Sequence, residues 1–205
     1  MRNISKSFNS SVSKISTHSN FLLVGRAAWS IFALLRLYKT EKKQTIIMPS
    51  FVCQSVIAAA VKANWCIEFL DIQIENGQIS NKDYLMKINE NIDAILFVHL
   101  LGNKNNIKGL QKKCDEKNIL FIEDSAQYCS YNYNQEDFDN SYVRLLSFGH
   151  SKIVDVGAGS LILSDDQSLI SEIEKLYKSY TFQEKKITDD LAEKFRSNFY
   201  NLKNT

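Results

Sequence analysis

The sequence predicts an α/β fold, a mainly parallel sheet with helices on both faces. Three observations predict it. From residue 21 onward, short apolar runs alternate with stretches of helical period, the pattern of βαβ units. The runs are nearly pure Val, Ile, Leu and Phe, as strands are when both faces of their sheet are covered. The chain has 205 residues, 44% hydrophobic and 23% charged, enough to bury a sizeable core and to exclude a disordered chain or a small stapled scaffold.

The elements follow in order. Residues 1–20 are rich in Ser and carry Arg2, Lys6 and Lys14 but no acid. Transit peptides share that composition, but a flexible polar N-terminal arm is the commoner explanation. Phe21 to Leu35 is apolar but interrupted by Gly25 and Arg26, too short and broken to span a bilayer, and it leads into a helix over Ala27–Tyr38. A strand at Thr45–Met48, a helix at Val52–Ala63, a strand at Cys66–Leu70 and a helix at Asn81–Ile88 come next. They are followed by a strand at Ala94–His99, a helix at Asn105–Lys117 and a strand at Ile119–Ile122. Strands at Val143–Phe148 and Ser160–Leu163 flank Gly149–Gly159, which has no helical period. Loops of that length inside compact domains are usually functional. A helix at Gln167–Tyr180 ends a unit spanning 21–180, and 181–205 is a charged segment of mixed sign.

The net charge of +2, without a run of like charges, gives no reason to expect nucleic acid. Cys53, Cys66, Cys114 and Cys129 are widely spaced, with no C-x-x-C pair, which argues against a metal site and against a disulfide framework. A reducing, cytoplasmic setting is expected, with no membrane segment. The chain holds one proline and seven glycines, against roughly 10 and 14 at average usage. The few that remain should stand where the backbone needs them.

In an open α/β sheet ligands bind beyond the carboxyl ends of the strands. Gly25-Arg26-Ala27 precedes a helix, and a glycine followed by free N–H groups and an arginine can seat an anion, although a plain strand-to-helix turn reads the same way. Glu123 and Asp124 directly follow an apolar run. Asp124 either caps a following helix or holds a ligand cation, such as the pyridinium nitrogen of pyridoxal phosphate. Lys152 lies beyond another strand end, between Ser147-Phe148-Gly149-His150-Ser151 and Gly157-Ala158-Gly159. A lone lysine is ordinarily solvated, but an amine among small polar residues could form a Schiff base with an aldehyde cofactor.

Six segments in order carry a resemblance: Gly25-Arg26-Ala27-Ala28, Met48-Pro49-Ser50-Phe51, Phe69-Leu70-Asp71-Ile72, Val98-His99-Leu100-Leu101-Gly102, Ile122-Glu123-Asp124-Ser125-Ala126-Gln127 and Ser147-Phe148-Gly149-His150-Ser151-Lys152. Over Phe21 to Asp166 the chain resembles the DegT/DnrJ/StrS-type sugar aminotransferases, pyridoxal-phosphate enzymes of the aspartate-aminotransferase-like fold. The resemblance implies the large cofactor-binding domain of fold type I, with the small C-terminal domain of the family absent. It implies that Lys152 carries pyridoxal 5'-phosphate and moves the substrate proton, and that Asp124 pairs with the ring nitrogen. Gln127 would lie by the ring and its 3-hydroxyl, Gly25, Arg26 and Ala27 would bind the phosphate, and Ser147 would supply it a hydroxyl. Cys53 falls where the family often places an aromatic ring-stacking residue, and Gly157-Ala158-Gly159-Ser160 lacks a carboxylate usual there.

The implied activity is amino transfer, with glutamate as donor, to a nucleotide-linked keto-sugar in cell-surface polysaccharide or other amino-sugar biosynthesis. A homodimer is implied too, because family active sites lie between subunits. Sibling dehydratases in which histidine replaces the lysine are not matched at Lys152. The competing expectation is a non-catalytic, truncated fragment acting only as a binding or pairing module.

Overall fold

Continuous apolar strands require cover on two sides, and the computed structural model, which describes residues 20–104, 106–128 and 143–180, supplies it. Its strands are β1 (Asn20–Val24), β2 (Thr45–Pro49), β3 (Cys66–Leu70), β4 (Ala94–Val98), β5 (Leu120–Asp124), β6 (Val143–Ser147) and β7 (Ser160–Ser164). The helices are α1 (Ala27–Leu37), α2 (Gln54–Lys62), α3 (Asn81–Lys87), α4 (Lys108–Glu116) and α5 (Gln167–Tyr180). One seven-stranded sheet runs in the order β1-β7-β6-β5-β4-β2-β3. Strands β2 to β6 are mutually parallel, whereas β7 is antiparallel to both of its neighbours.

Alternation along each strand sorts the core into two layers. Ile46, Met48, Leu96, Val98, Ile122, Leu145 and Ile162 pack with Ile31, Leu34, Leu35, Ala59, Ala60 and Ile173, so α1, α2 and α5 cover this face. Ile47, Ile95, Phe97 and Phe121 pack with Tyr84, Leu110 and Cys114 of α3 and α4 on the other. The indole N–H of Trp65 donates to the carbonyl of Leu35 at 2.9 Å, satisfying a buried donor at the end of α1. Helices thus lie on both faces of a mainly parallel sheet, as the apolar runs predict.

Most element boundaries lie within three residues of expectation, and three differences bear on the site. Phe21–Val24 forms an edge strand, because its partner is β7, with Asn20 opposite Ser164 and Val24 opposite Ser160. Strand β5 extends through Asp124, so Glu123 and Asp124 belong to the strand rather than following it. No helix begins in the described residues directly after Asp124, up to Tyr128, and its Oδ1 instead accepts the N–H of Ala126 at 2.8 Å, an Asx-type turn. Residues 1–19, Cys129 and the charged segment 181–205 lie outside the described residues.

Candidate active site

The strand directions bring the ends of β1 to β6 and the start of β7 to one edge of the sheet. Helix α1 begins there. Its N-terminal residue Arg26 is extended (φ −153°, ψ 145°), no side chain caps the helix, and no acid stands in its first turn. The first N–H groups are therefore open to an anion. The carbonyl of Gly25 accepts the N–H of Gly159 at 3.1 Å, which ties this turn to the far end of the β6–β7 connection. Ser160 stands between Val24 and Ser147 in register, so Ser147 lies two strands from the turn.

That connection carries Lys152. Phe148 N–H donates to the Gly159 carbonyl (2.9 Å), Val156 N–H to that of Phe148 (3.0 Å) and Lys152 N–H to that of Gly149 (3.2 Å). Gly159 has φ +109°, a conformation that side chains rarely adopt. His150 Nδ1 is 3.5 Å from Asp155 Oδ2, and the Gly157 N–H donates to Asp155 Oδ1 at 2.8 Å. His150 thus braces the loop from within.

Asp124 is 4% exposed, on the α1/α2/α5 face of the sheet. Burial pushes its carboxyl above the usual range, the Ala126 N–H and the charges of Lys152 and His99 pull it back, and Glu123 adds to the rise. Lys152 acts also on Cys53, the exposed residue preceding α2. The Cys53 thiol is lowered first by its hydrogen bond with Ser55, whose Oγ is 3.2 Å away, and further by Lys152. Lys152, Asp124 and Cys53, far apart in the chain, thus share one electrostatic neighbourhood. Gln127 accepts the backbone N–H of Leu101 on its Oε1 at 2.9 Å, so its side chain is tied to the loop after β4. Leu101 has φ 56° and Gly102 φ 77°, and a Cβ on Gly102 would come within 3.1 Å of the Gln127 carbonyl, so loop and turn interlock.

Behind Asp124 lies a buried cluster that sequence reasoning missed. Glu123 Oε1 is 2.8 Å from His99 Nε2 and 3.4 Å from Arg144 Nε, and it accepts the Ser125 hydroxyl at 3.2 Å. Desolvation pushes the Glu123 carboxyl up, but Arg144, His99 and Ser125 together outweigh it and bring it down to about 2. An arginine inside the apolar run Val143-Arg144-Leu145-Leu146 was the available signal, since a buried guanidinium demands an acid. A shallow cleft, open to solvent, lies between the ends of β5 and β6 and is lined by Ser125, Ser147, Phe148 and Ile153 among others. Among the described residues no group of three His, Cys, Asp or Glu could hold a metal, and no helix is long and apolar enough to cross a membrane.

The donor set fits pyridoxal phosphate. An uncapped helix N-terminus suits the phosphate, a buried carboxylate suits a protonated ring nitrogen, and a primary amine within its electrostatic reach suits the aldehyde.

Known proteins share this fold and identify the family. The sequence profile of the DegT/DnrJ/EryC1/StrS aminotransferase family matches residues 3–204. A GDP-perosamine synthase from Vibrio cholerae is 26% identical over 148 residues, covering 72% of this chain and 40% of that one. The solved structure of Helicobacter pylori PseC, an aminotransferase involved in the biosynthesis of pseudoaminic acid, superposes with a TM-score of 0.73 at 19% identity, covering 87% of this chain and 48% of that one. The E. coli GDP-4-keto-6-deoxy-D-mannose-3-dehydratase with bound hydrated PLP superposes with a TM-score of 0.68 at 19% identity, over 79% of this chain and 43% of that one. At such identities the superpositions show a shared fold. The chain spans about 40% of the length of the curated relatives it matches. With its fold, its ordered motifs and the profile match in agreement, the chain belongs to the DegT/DnrJ/EryC1/StrS aminotransferase family.

Proposed function

We propose that residues 21–180 are the pyridoxal-phosphate-binding unit of an aminotransferase acting on nucleotide-linked keto-sugars, flanked by an N-terminal arm (1–20) and a charged segment (181–205). The observation that carries this reading is the convergence of Lys152, Asp124 and Cys53 at the sheet edge where α1 begins uncapped. The substrate class follows the names of relatives: two are GDP-perosamine synthases, and one solved neighbour, DesI, was obtained with its TDP-sugar product. Glutamate as donor, a role in cell-surface polysaccharide synthesis and a cytoplasmic setting complete the proposal. Exposed Phe51, Leu101, Ile153 and Val156 on loops at this edge are consistent with a homodimer.

When bound, pyridoxal phosphate supplies an electron sink for cleavage of a bond at the carbon bearing the amine. The chain supplies the rest. The N–H groups following Gly25 and Arg26, with the Ser147 hydroxyl, seat the phosphate, and Asp124 keeps the ring nitrogen protonated. Gln127 would donate its amide N–H to the ring's 3-oxygen, since its Oε1 is engaged by Leu101. Cys53 would pack on the ring as a small apolar group. Lys152 Nζ would hold the cofactor's aldehyde covalently and, when free of it, would hold and move the proton at the substrate carbon.

The test is spectroscopic. Protein reconstituted with pyridoxal phosphate is expected to show a visible band that Lys152→Ala abolishes, and to transfer the amino group of glutamate to a keto-sugar nucleotide. A band that survives the substitution, or no band at all, would sink the cofactor reading. A Lys152-dependent band without amino transfer would favour the binding module over the enzyme.

A further inference from the structure

We propose that His99, Glu123, Ser125 and Arg144 form a positioning device for Asp124, a cross-strand clamp on the reverse face of β5 that fixes where its carboxylate stands. The proposal rests on the reading of Asp124 as the partner of the ring nitrogen. Side chains alternate along a strand, so Glu123 and Ser125 point away from Asp124, toward the face covered by α3 and α4. There they are bonded to one another and to the two neighbouring strands. His99, just past β4, meets Glu123 at 2.8 Å, and Arg144 of β6 donates its Nε–H to Ser125 Oγ at 3.1 Å while standing 3.4 Å from Glu123. All four residues are at most 5% exposed.

The clamp lies where both ladders of β5 end. Strand β5 pairs with β4 over five residues, from Leu120 to Asp124, but with β6 over only three, and Asp124 is the last in both registers. The backbone beyond is held by single bonds, His99 N–H to the Asp124 carbonyl (3.1 Å) and Ser125 N–H to that of Leu145 (2.9 Å). Without the cluster, β5 could rotate about its own axis at this end. Such a rotation would swing the Asp124 carboxylate across the sheet edge.

Stability does not account for the cluster, since well-packed apolar side chains in place of a buried ion pair are often as stable or more so. The neighbouring core positions on this face, Phe97 and Phe121, are apolar. What the cluster adds is direction: hydrogen bonds from three strands leave β5 one orientation, and a catalytic group displaced by about 1 Å loses much of its effect.

The test compares His99→Phe, which keeps a ring but removes the bond to Glu123, with His99→Gln, which can restore it. In His99→Phe the apparent dissociation constant for pyridoxal phosphate is expected to rise about tenfold or more, and the wavelength of its visible band to move, while the apoprotein still folds but melts below the parent. His99→Gln is expected to return both properties toward parental values. Where His99→Phe does not fold, the paired change Glu123→Gln with Arg144→Met, which strands no charge, is read in the same way. Parental affinity and band in the folded variant would overturn the proposal, as would failure of His99→Gln to rescue, or failure of both the phenylalanine variant and the paired variant to fold. A parent protein with no visible band, or an unchanged band in Asp124→Asn, would instead sink the reading of Asp124 itself.

Discussion

At the scale of single residues, Asp124 is held in a state that costs stability. It is buried, one oxygen has the Ala126 N–H, and burial raises its carboxyl above the ordinary range despite Lys152 and His99. A group whose folded pKa is raised penalises the fold above that pKa and stops doing so once protonated. Asp124→Asn keeps the acceptor for Ala126 and removes the charge. Melting of the cofactor-free protein at pH 8 should therefore rise, by roughly 2–4 °C if the relief is about 1 kcal/mol in a domain of this size. The gain should vanish as the pH falls through the Asp124 pKa, and cofactor affinity should fall at the same time. A variant melting below its parent at pH 8 would contradict this account. Lys152, Asp124 and the Gly25 turn were legible in the sequence because each stands in a short segment at a strand end. His99, Ser125 and Arg144 were not, because their roles exist only once β4, β5 and β6 lie side by side.

At the scale of elements, α1 shows both what periodicity reads and what it does not. Ser30, Ile31, Phe32, Ala33, Leu34 and Leu35 are all buried, because the sheet, α2 and α5 surround the helix. The helix was legible as an apolar run, but β1 merged into the same run and was recognised only through a pairing with β7 about 140 residues away. No local window contains that partner. Likewise β5 was expected to stop at Ile122, since acids ordinarily end a strand; Glu123 and Asp124 extend it because ladder bonds on both sides and Arg144 support them. Within α1, Ser30 Oγ is buried and finds no hydrogen-bond partner among the described residues. Ser30→Ala removes an unsatisfied hydroxyl and improves helix propensity, and should stabilise the protein by about 1 kcal/mol. Chemical denaturation of the apoprotein should show a higher midpoint with the same slope, and cofactor affinity should not change. A lower midpoint would mean the hydroxyl packs or bonds favourably where it stands.

For the whole molecule, the acid limb of stability should trace to one buried cluster. The surface pairs Lys87–Glu68, Lys113–Glu116 and Lys178–Glu174 are substantially exposed, and exposed pairs contribute little and are screened by salt. Glu123 differs, being buried against Arg144 and His99 with its carboxyl held down to about 2. The sign follows from linkage. A depressed carboxyl contributes stability fully above its unfolded pKa of 4.5 and loses it as the pH falls toward about 2. Asp124, with its raised pKa, works in the opposite direction over its own titration and softens the upper part of this loss. The unfolding free energy of the apoprotein, from denaturant titrations, should therefore fall between about pH 5 and pH 2, by of order 3 kcal/mol from Glu123. Added salt should change the neutral-pH midpoint little, because the cluster is out of reach of counterions. In the paired variant Glu123→Gln with Arg144→Met, which has no carboxylate to protonate there, the fall should be much shallower. Neutral-pH stability of that variant should stay near the parental value, since a buried ion pair exchanged for neutral groups of similar size is close to neutral in cost. An acid limb as steep in the paired variant as in the parent would assign the loss to surface carboxylates and remove Glu123 from the account.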